Sequence, residues 1–171
     1  MMGKGKLKDN TVVTTVMANI GFHKAIKENG GRTEITAVGD RYVLENMLAN
    51  GYNLGGEQSG HIIFTDFSTT GDGPVTALQV LSYLKRTRHK ASAITKIMTS
   101  YPQLLVNVKV ATKDGWEDNE AIKASIEEGK QQLGENGRIL VRPSGTEPLI
   151  RVMLKALTKK NWKKSAIKLL M

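Results

Sequence analysis

Asp9-Asn10-Thr11-Val12-Val13-Thr14-Thr15-Val16-Met17-Ala18-Asn19 decides the fold of this chain. Its centre is β-branched and apolar, and polar residues bound it on both sides, so residues 11–17 read as a buried strand. Phe22, Ala25 and Ile26 then recur at helical spacing until Asn29-Gly30-Gly31 stops the pattern. Residues 33–38 read as a second strand. Residues 41–50 read as a second helix, with Val43, Leu44, Met47 and Leu48 on its apolar face and Asn50-Gly51 as its end. Strand, helix, strand, helix is the order of an α/β layer with parallel strands. Ile62-Ile63-Phe64 continues it as a third strand. Gly71-Asp72-Gly73-Pro74 is a turn, from which Pro74 opens a helix over 75–85 carrying Ala77, Leu78, Leu81 and Leu84 on one face.

A shorter helical stretch through Ala93, Ile94, Ile97 and Met98 leads to Tyr101-Pro102, where the texture changes. Residues 104–110 read as a strand. Residues 119–133 read as a helix with Ile122, Ile126 and Leu133 on one side, and 138–141 and 149–154 as two strands joined by a hairpin-like connection. Trp162, Ala166, Leu169 and Leu170 give the tail a near-helical spacing. The expectation is an α/β chain: a partial three-layer α/β/α domain over 1–98, then a small α+β domain over 99–171 with an antiparallel sheet backed by helices.

The 171 residues, 40% of them hydrophobic, suffice for a core. With no cysteine there is no disulfide, thiolate zinc site or thiol nucleophile. No apolar run approaches the roughly 20 residues of a membrane span, and the start lacks a signal-peptide core, so cytoplasm is the expected compartment. The formal charge of +9 gathers at Lys4, Lys6 and Lys8, around 85–90, and in the tail after Lys155. Only 5% of residues are aromatic, so single-stranded nucleic acid would find no stacking platform. Nucleic acid is therefore not an expected partner, and the charge reads as a solvated or anion-steering surface.

Two glycine-bearing stretches carry the chemistry. In Gly56-Glu57-Gln58-Ser59-Gly60-His61, the Glu57 carboxylate can accept from neighbouring sugar hydroxyls, with Ser59 beside it and glycines keeping the backbone thin. His61 reads equally as a structural residue opening a strand. In Arg142-Pro143-Ser144-Gly145-Thr146-Glu147-Pro148, a guanidinium, two hydroxyls and a glycine amide suit a phosphate, and Arg151 on the next strand offers a second guanidinium. The same segment also reads as an ordinary turn with a surface arginine. Neither stretch continues into the Gly-Lys-Ser/Thr of a nucleotide P-loop. His23 and His89 have no acidic or hydroxyl neighbours in sequence and read as surface residues. No metal constellation and no activated nucleophile is visible.

With these motifs in order, and with Val38-Gly39-Asp40-Arg41-Tyr42-Val43, Gly71-Asp72-Gly73 with Thr76-Ala77-Leu78-Gln79, and Tyr101-Pro102-Gln103 between them, the chain resembles the C-terminal part of the α-D-phosphohexomutases. The Gly-Glu-Gln-Ser-Gly-His and Val-Gly-Asp-Arg-Tyr-Val forms favour the branch acting on glucosamine phosphates over the glucose and mannose branches. The resemblance implies most of the third of four domains and most of the fourth. It implies a phosphosugar substrate, a glucosamine phosphate, that is isomerised through a phosphoserine and a bisphosphate intermediate. By the same resemblance, Glu57, Ser59 and His61 face the sugar, together with Gly39, Asp40 and Arg41 on a third-domain loop, and Arg142, Ser144, Gly145, Thr146 and Arg151 hold phosphate.

The family's phosphoserine loop and its Asp-rich Mg2+ loop have no counterpart in these residues. The resemblance therefore implies no catalytic residue and no metal ligand here, with Mg2+ bound only in the full-length enzyme. It makes the missing N-terminal half a required partner, is compatible with a homo-oligomer, and implies a chain inactive alone. Two other readings stand beside it: a free-standing sugar-phosphate-binding module, and nucleic-acid binding through the basic tail.

Overall fold

The computed structural model describes residues 1, 4–94, 97–134, 137–144 and 147–156. Gly145 and Thr146, and the helix expected around Trp162, lie outside the described residues. Two compact units divide the chain, Met1–Ser100 and Tyr101–Met171.

In the first unit β1 (Thr11–Thr15) is buried along its whole length, as its β-branched composition requires. It pairs in parallel with β2 (Arg32–Thr36), Thr11 opposite Arg32 and Thr15 opposite Thr36. Between them runs α1 (Ile20–Glu28), whose start is fixed by Asn19: its side chain accepts the Gly21 N–H at 2.9 Å. Helix α2 (Asp40–Asn50) returns the chain to the other side of β1 and ends on Gly51 in the left-handed conformation. Successive side chains of a strand point to opposite faces. Val13 accordingly packs with Val43 and Met47 of α2, Tyr52 and Ile63. Val12 and Thr14 face the other way, into a cavity of about 430 Å³ shared with Phe22 of α1, Leu54, Ile62 and Met98. The sheet therefore has a helix on each face, as the expected layering requires.

The sheet order is β2-β1-β3-β4, where β3 is Gly55–Gly56 and β4 is Ile62–Ile63. The expectation of parallel strands holds for three of them and fails at the fourth, because β3 and β4 form an antiparallel hairpin. Gly55-Gly56, read from sequence as loop, is a strand. Glycine carries no strand propensity, and the pairing depends on close approach: a Cβ on Gly55 would stand 2.5 Å from Met47 Sδ and 2.8 Å from Val43 Cγ1. Helix α3 (Gly73–Thr87) starts two residues before the sequence reading. Asp72 caps it by accepting the Val75 N–H at 2.8 Å, with Pro74 in the first turn.

Its expected apolar face is present but not buried, since Leu78 is 63% and Leu81 58% exposed. Leu48 on α2 is likewise exposed, because α2 turns only its Val43–Met47 stripe to the sheet. Periodicity marks a stripe able to be covered; it does not supply the cover. A short helix α4 (Ala91–Ile94) follows. No helix among the described residues is long and apolar enough to cross a membrane.

In the second unit β5 (Gln103–Lys109), β6 (Gly137–Pro143) and β7 (Leu149–Ala156) form an antiparallel sheet in the order β5-β7-β6. Helix α5 (Glu120–Leu133) is capped by Asn119, whose side chain accepts from the Ala121 and Ile122 amides. One face of the sheet, carrying Ile139, Ile150, Val152 and Leu154, closes a core with Leu133 of α5, Leu104, Val108 and Trp116. By alternation the other face carries Arg138, Leu140 and Arg142 of β6 and Arg151, Met153 and Lys155 of β7.

Candidate functional site

The first loop is the turn of the β3–β4 hairpin. The Glu57 amide donates to the His61 carbonyl at 2.9 Å, and the Gly60 amide to the Glu57 carbonyl at 3.1 Å. The chain then passes through Gly60 at φ 104°, a conformation open to glycine. Thr14 Oγ1 anchors the hairpin by donating to the Gly56 carbonyl at 2.9 Å. This geometry gathers Glu57, Ser59 and His61. Ser59 Oγ lies 3.4 Å from Glu57 Oε2, to which it donates, and 3.3 Å from His61 Nδ1. The His61 ring rests on Gly71, where a Cβ would come within 3.1 Å of Cδ2, so the turn that starts α3 also seats the imidazole.

Gly39 joins the group, its amide donating to Glu57 Oε1 at 3.0 Å across 18 residues of sequence. Its two neighbours do not. Asp40 accepts from the Arg41 amide at 2.9 Å, and Arg41 Nε pairs with Glu45 at 2.7 Å on the exposed side of α2, which raises its already high pKa. His23, read as a partnerless surface residue, is half-buried, and its Nδ1 lies 2.9 Å from Thr33 Oγ1 on β2. That partner is ten residues away and reached only through the β1–β2 crossover.

In the second unit the loop after β6 is held from inside. Ser144 is 2% exposed; its amide donates to the Leu149 carbonyl at 2.9 Å and its carbonyl accepts from Lys113 Nζ at 2.8 Å. Ser144 Oγ accepts from the Glu147 amide and from Arg151 Nη2, each at 3.3 Å. Arg151 Nη2 also reaches Glu147 Oε2 at 3.2 Å, while Arg151 Nε is buried and has no hydrogen-bond partner among the described residues. Arg142 and Arg151 stand directly opposite each other in the β6–β7 register. Like charges in facing positions repel. Glu147 offsets part of that repulsion, and a bound anion would offset more.

Lys113 was not singled out by the sequence; its only signal is a place before the Asp114-Gly115 turn. Two residues further along the register from Leu140–Met153, Arg138 faces Lys155. Lys155 is buried, and burial first, then the Arg138 charge, lowers its pKa from 10.5 to about 8. Among the described residues no group of three or more His, Cys, Asp or Glu is placed to hold a metal ion.

Two family models cover this architecture. "Phosphoglucomutase/phosphomannomutase, alpha/beta/alpha domain III" matches residues 1–101, and the C-terminal domain of the same family matches residues 105–166. The chain belongs to the phosphoglucomutase/phosphomannomutase family. Within that family it is 55% identical over 159 residues to the phosphoglucosamine mutase of Bacillus pumilus, covering 93% of this chain and 36% of that protein. It is 54% identical over 159 residues to the enzyme of the same name from Bacillus subtilis, with the same two coverages. The chain thus spans about a third of the length of these curated relatives.

Among solved structures it resembles Aspergillus fumigatus N-acetylphosphoglucosamine mutase, with a TM-score of 0.78 at 21% identity over 96% of this chain and 38% of that one. The same fungal enzyme in complex with GlcNAc-6P and magnesium gives 0.76 at 20% identity, over 99% and 39%. At this identity the likeness is one of fold. The family assignment and the mixed α/β plan with a small antiparallel second sheet agree with the sequence reading.

Proposed function

We propose that this chain is the sugar- and phosphate-docking part of a phosphoglucosamine mutase, an isomerase that interconverts glucosamine 6-phosphate and glucosamine 1-phosphate. In this reading the first unit holds sugar hydroxyls. Glu57 and Ser59 present acceptors and a hydroxyl from the hairpin turn, and His61 lines the site, with Gly39, Asp40 and Arg41 beside it at the start of α2. The second unit holds a phosphate through Arg142, Ser144, Gly145, Thr146 and Arg151. The observation that carries the reading is the facing Arg142–Arg151 pair, with the Ser144 hydroxyl bonded to Arg151, a concentration of positive charge that a dianion would relieve.

Phosphoryl transfer rests on positioning and on stabilising charge. These residues supply positioning: they fix a phosphosugar by its hydroxyls and by the phosphate that is not reacting. The donor and the metal chemistry belong to the part of the enzyme beyond these residues, so the chain alone binds ligand and turns nothing over. Cytoplasmic location and a place in amino-sugar metabolism go with this proposal.

Isothermal titration of the chain with glucosamine 6-phosphate tests it. Binding is expected to weaken about tenfold or more in Arg142→Ala, which removes a charge-assisted hydrogen-bond donor, and to weaken in Glu57→Ala. Variants that titrate like the unmodified chain would defeat the assignment, and substantial turnover by the chain with magnesium and a sugar bisphosphate would defeat the division of labour.

A further inference from the structure

Glycine at position 39 is demanded by its backbone, with φ 136° and ψ 131° immediately before α2, and a Cβ there would stand 3.2 Å from the Tyr42 ring. As the residue before the helix it has no side chain with which to cap it. Its amide points instead across the sheet to Glu57 Oε1 at 3.0 Å. That carboxylate also gains from lying at the positive end of the α2 dipole. The backbone of Glu57 is already fixed on both sides, its amide to His61 and its carbonyl to Gly60. The Gly39 contact therefore acts on what remains free, the side-chain torsions, and leaves Oε2 beside Ser59 Oγ.

We propose that Gly39 is a positioning residue whose amide fixes the Glu57 carboxylate for the sugar, rather than a residue that touches the sugar itself. The inference rests on the proposed reading of the 57–61 turn as the sugar loop. It makes the start of α2 part of the site without contact to substrate. In this reading the start of α2 bears on the site through the Gly39 amide, while Asp40 and Arg41 turn their side chains along their own helix.

Two measurements test it. In ¹H–¹⁵N spectra of the chain, the Gly39 amide proton is expected to move upfield in Glu57→Gln, further in Glu57→Ala, and not in Ser59→Ala. An unmoved Gly39 resonance in Glu57→Ala overturns the inference, and it does so even if Gly39→Ala cannot be folded.

Glucosamine 6-phosphate titrations of Gly39→Ala, Glu57→Ala and the double variant then separate positioning from contact. If Gly39 acts only through Glu57, its loss weakens binding up to about tenfold, and the double variant binds no more weakly than Glu57→Ala. Additive losses, or a loss in Glu57→Ala alone, overturn the positioning role and leave the sugar reading standing. If Glu57→Ala binds like the unmodified chain, the sugar reading fails and this inference falls with it.

Discussion

Replacing Lys155 by methionine should stabilise the second unit at neutral pH. Lys155 lies on the face of β7 opposite the core, 2% exposed, with Arg138 directly across the strand pair. Its pKa is lowered from 10.5 to about 8, chiefly by burial and then by the Arg138 charge. The sign follows from proton binding in the two states. Below about pH 8 both folded and unfolded chains carry the proton, and the folded chain bears the net cost that the lowered pKa of the ammonium reflects. Between pH 8 and 10.5 the folded chain releases its proton while the unfolded chain keeps it, so stability rises with pH across that window. At roughly 1.4 kcal/mol per tenfold change, the interval corresponds to roughly 3 kcal/mol.

Methionine keeps the unbranched stem and discards the charge. Urea unfolding at pH 7 is therefore expected to show a gain of about 1–3 kcal/mol, with the pH dependence between 8 and 10 flattened relative to the parent. Both tryptophans, Trp116 and Trp162, lie after residue 101, in the second unit, so their fluorescence follows its unfolding. A Lys155→Met chain less stable than its parent at pH 7, or two pH profiles that run parallel, would refute the reasoning.

Gly55→Ala should destabilise the first unit by about 1–3 kcal/mol, since the added methyl meets Met47 and Val43 in a closed core. Circular dichroism melts would show it, and a second change, Val43→Ala, should restore part of the loss; an unshifted melt would mean that the hairpin yields. In the second unit, Glu147→Gln removes the carboxylate that pairs with Arg151 and should tighten inorganic phosphate binding about two- to fivefold at low ionic strength. Weaker phosphate binding in that variant would mean that Glu147 orders the loop more than it competes with the anion.

Much of this was legible because local signals agreed with tertiary demand. The run Thr11–Thr15 had to be strand, and Asn19, Asp72 and Asn119 each begin a helix with a side chain suited to accept its first amides. What escaped the sequence is what depends on approach between distant segments. Gly55 fits in its strand because only a residue without Cβ fits beneath Met47 and Val43, while a Cβ on Gly56 would meet the His61 carbonyl, and nothing local says so. The stripe Leu78–Leu81 shows its period plainly, yet its exposure depends on what else packs there. The same division runs through the candidate site. Glu57, Ser59 and His61 meet because one five-residue turn, 57–61, joins them, so their association was readable. The Gly39–Glu57 bond joins a backbone amide to a carboxylate 18 residues away, and a backbone amide has no signature in a sequence.

The basic character of the chain changes meaning once the β6–β7 register is known. Arg138 and Arg142 on one strand, and Lys155 and Arg151 on the other, fall on one face as two facing like-charged pairs, separated by Leu140 and Met153. The two pairs do not have the same surroundings. Beside Arg142 and Arg151 lie the Ser144 hydroxyl and the Glu147 carboxylate, at the end of the hairpin where the loop turns. Beside Arg138, Lys155 is buried with its pKa lowered to about 8, so this pair keeps both charges at neutral pH and loses the Lys155 charge only above about pH 8. One pair therefore sheds its repulsion only by losing a proton above about pH 8, and the other has the Glu147 carboxylate beside it at every pH above the carboxylate range. On the proposed reading, anion recognition would be a property of the loop end, where Arg142, Ser144 and Arg151 gather, and the +9 of the whole chain would have little part in it.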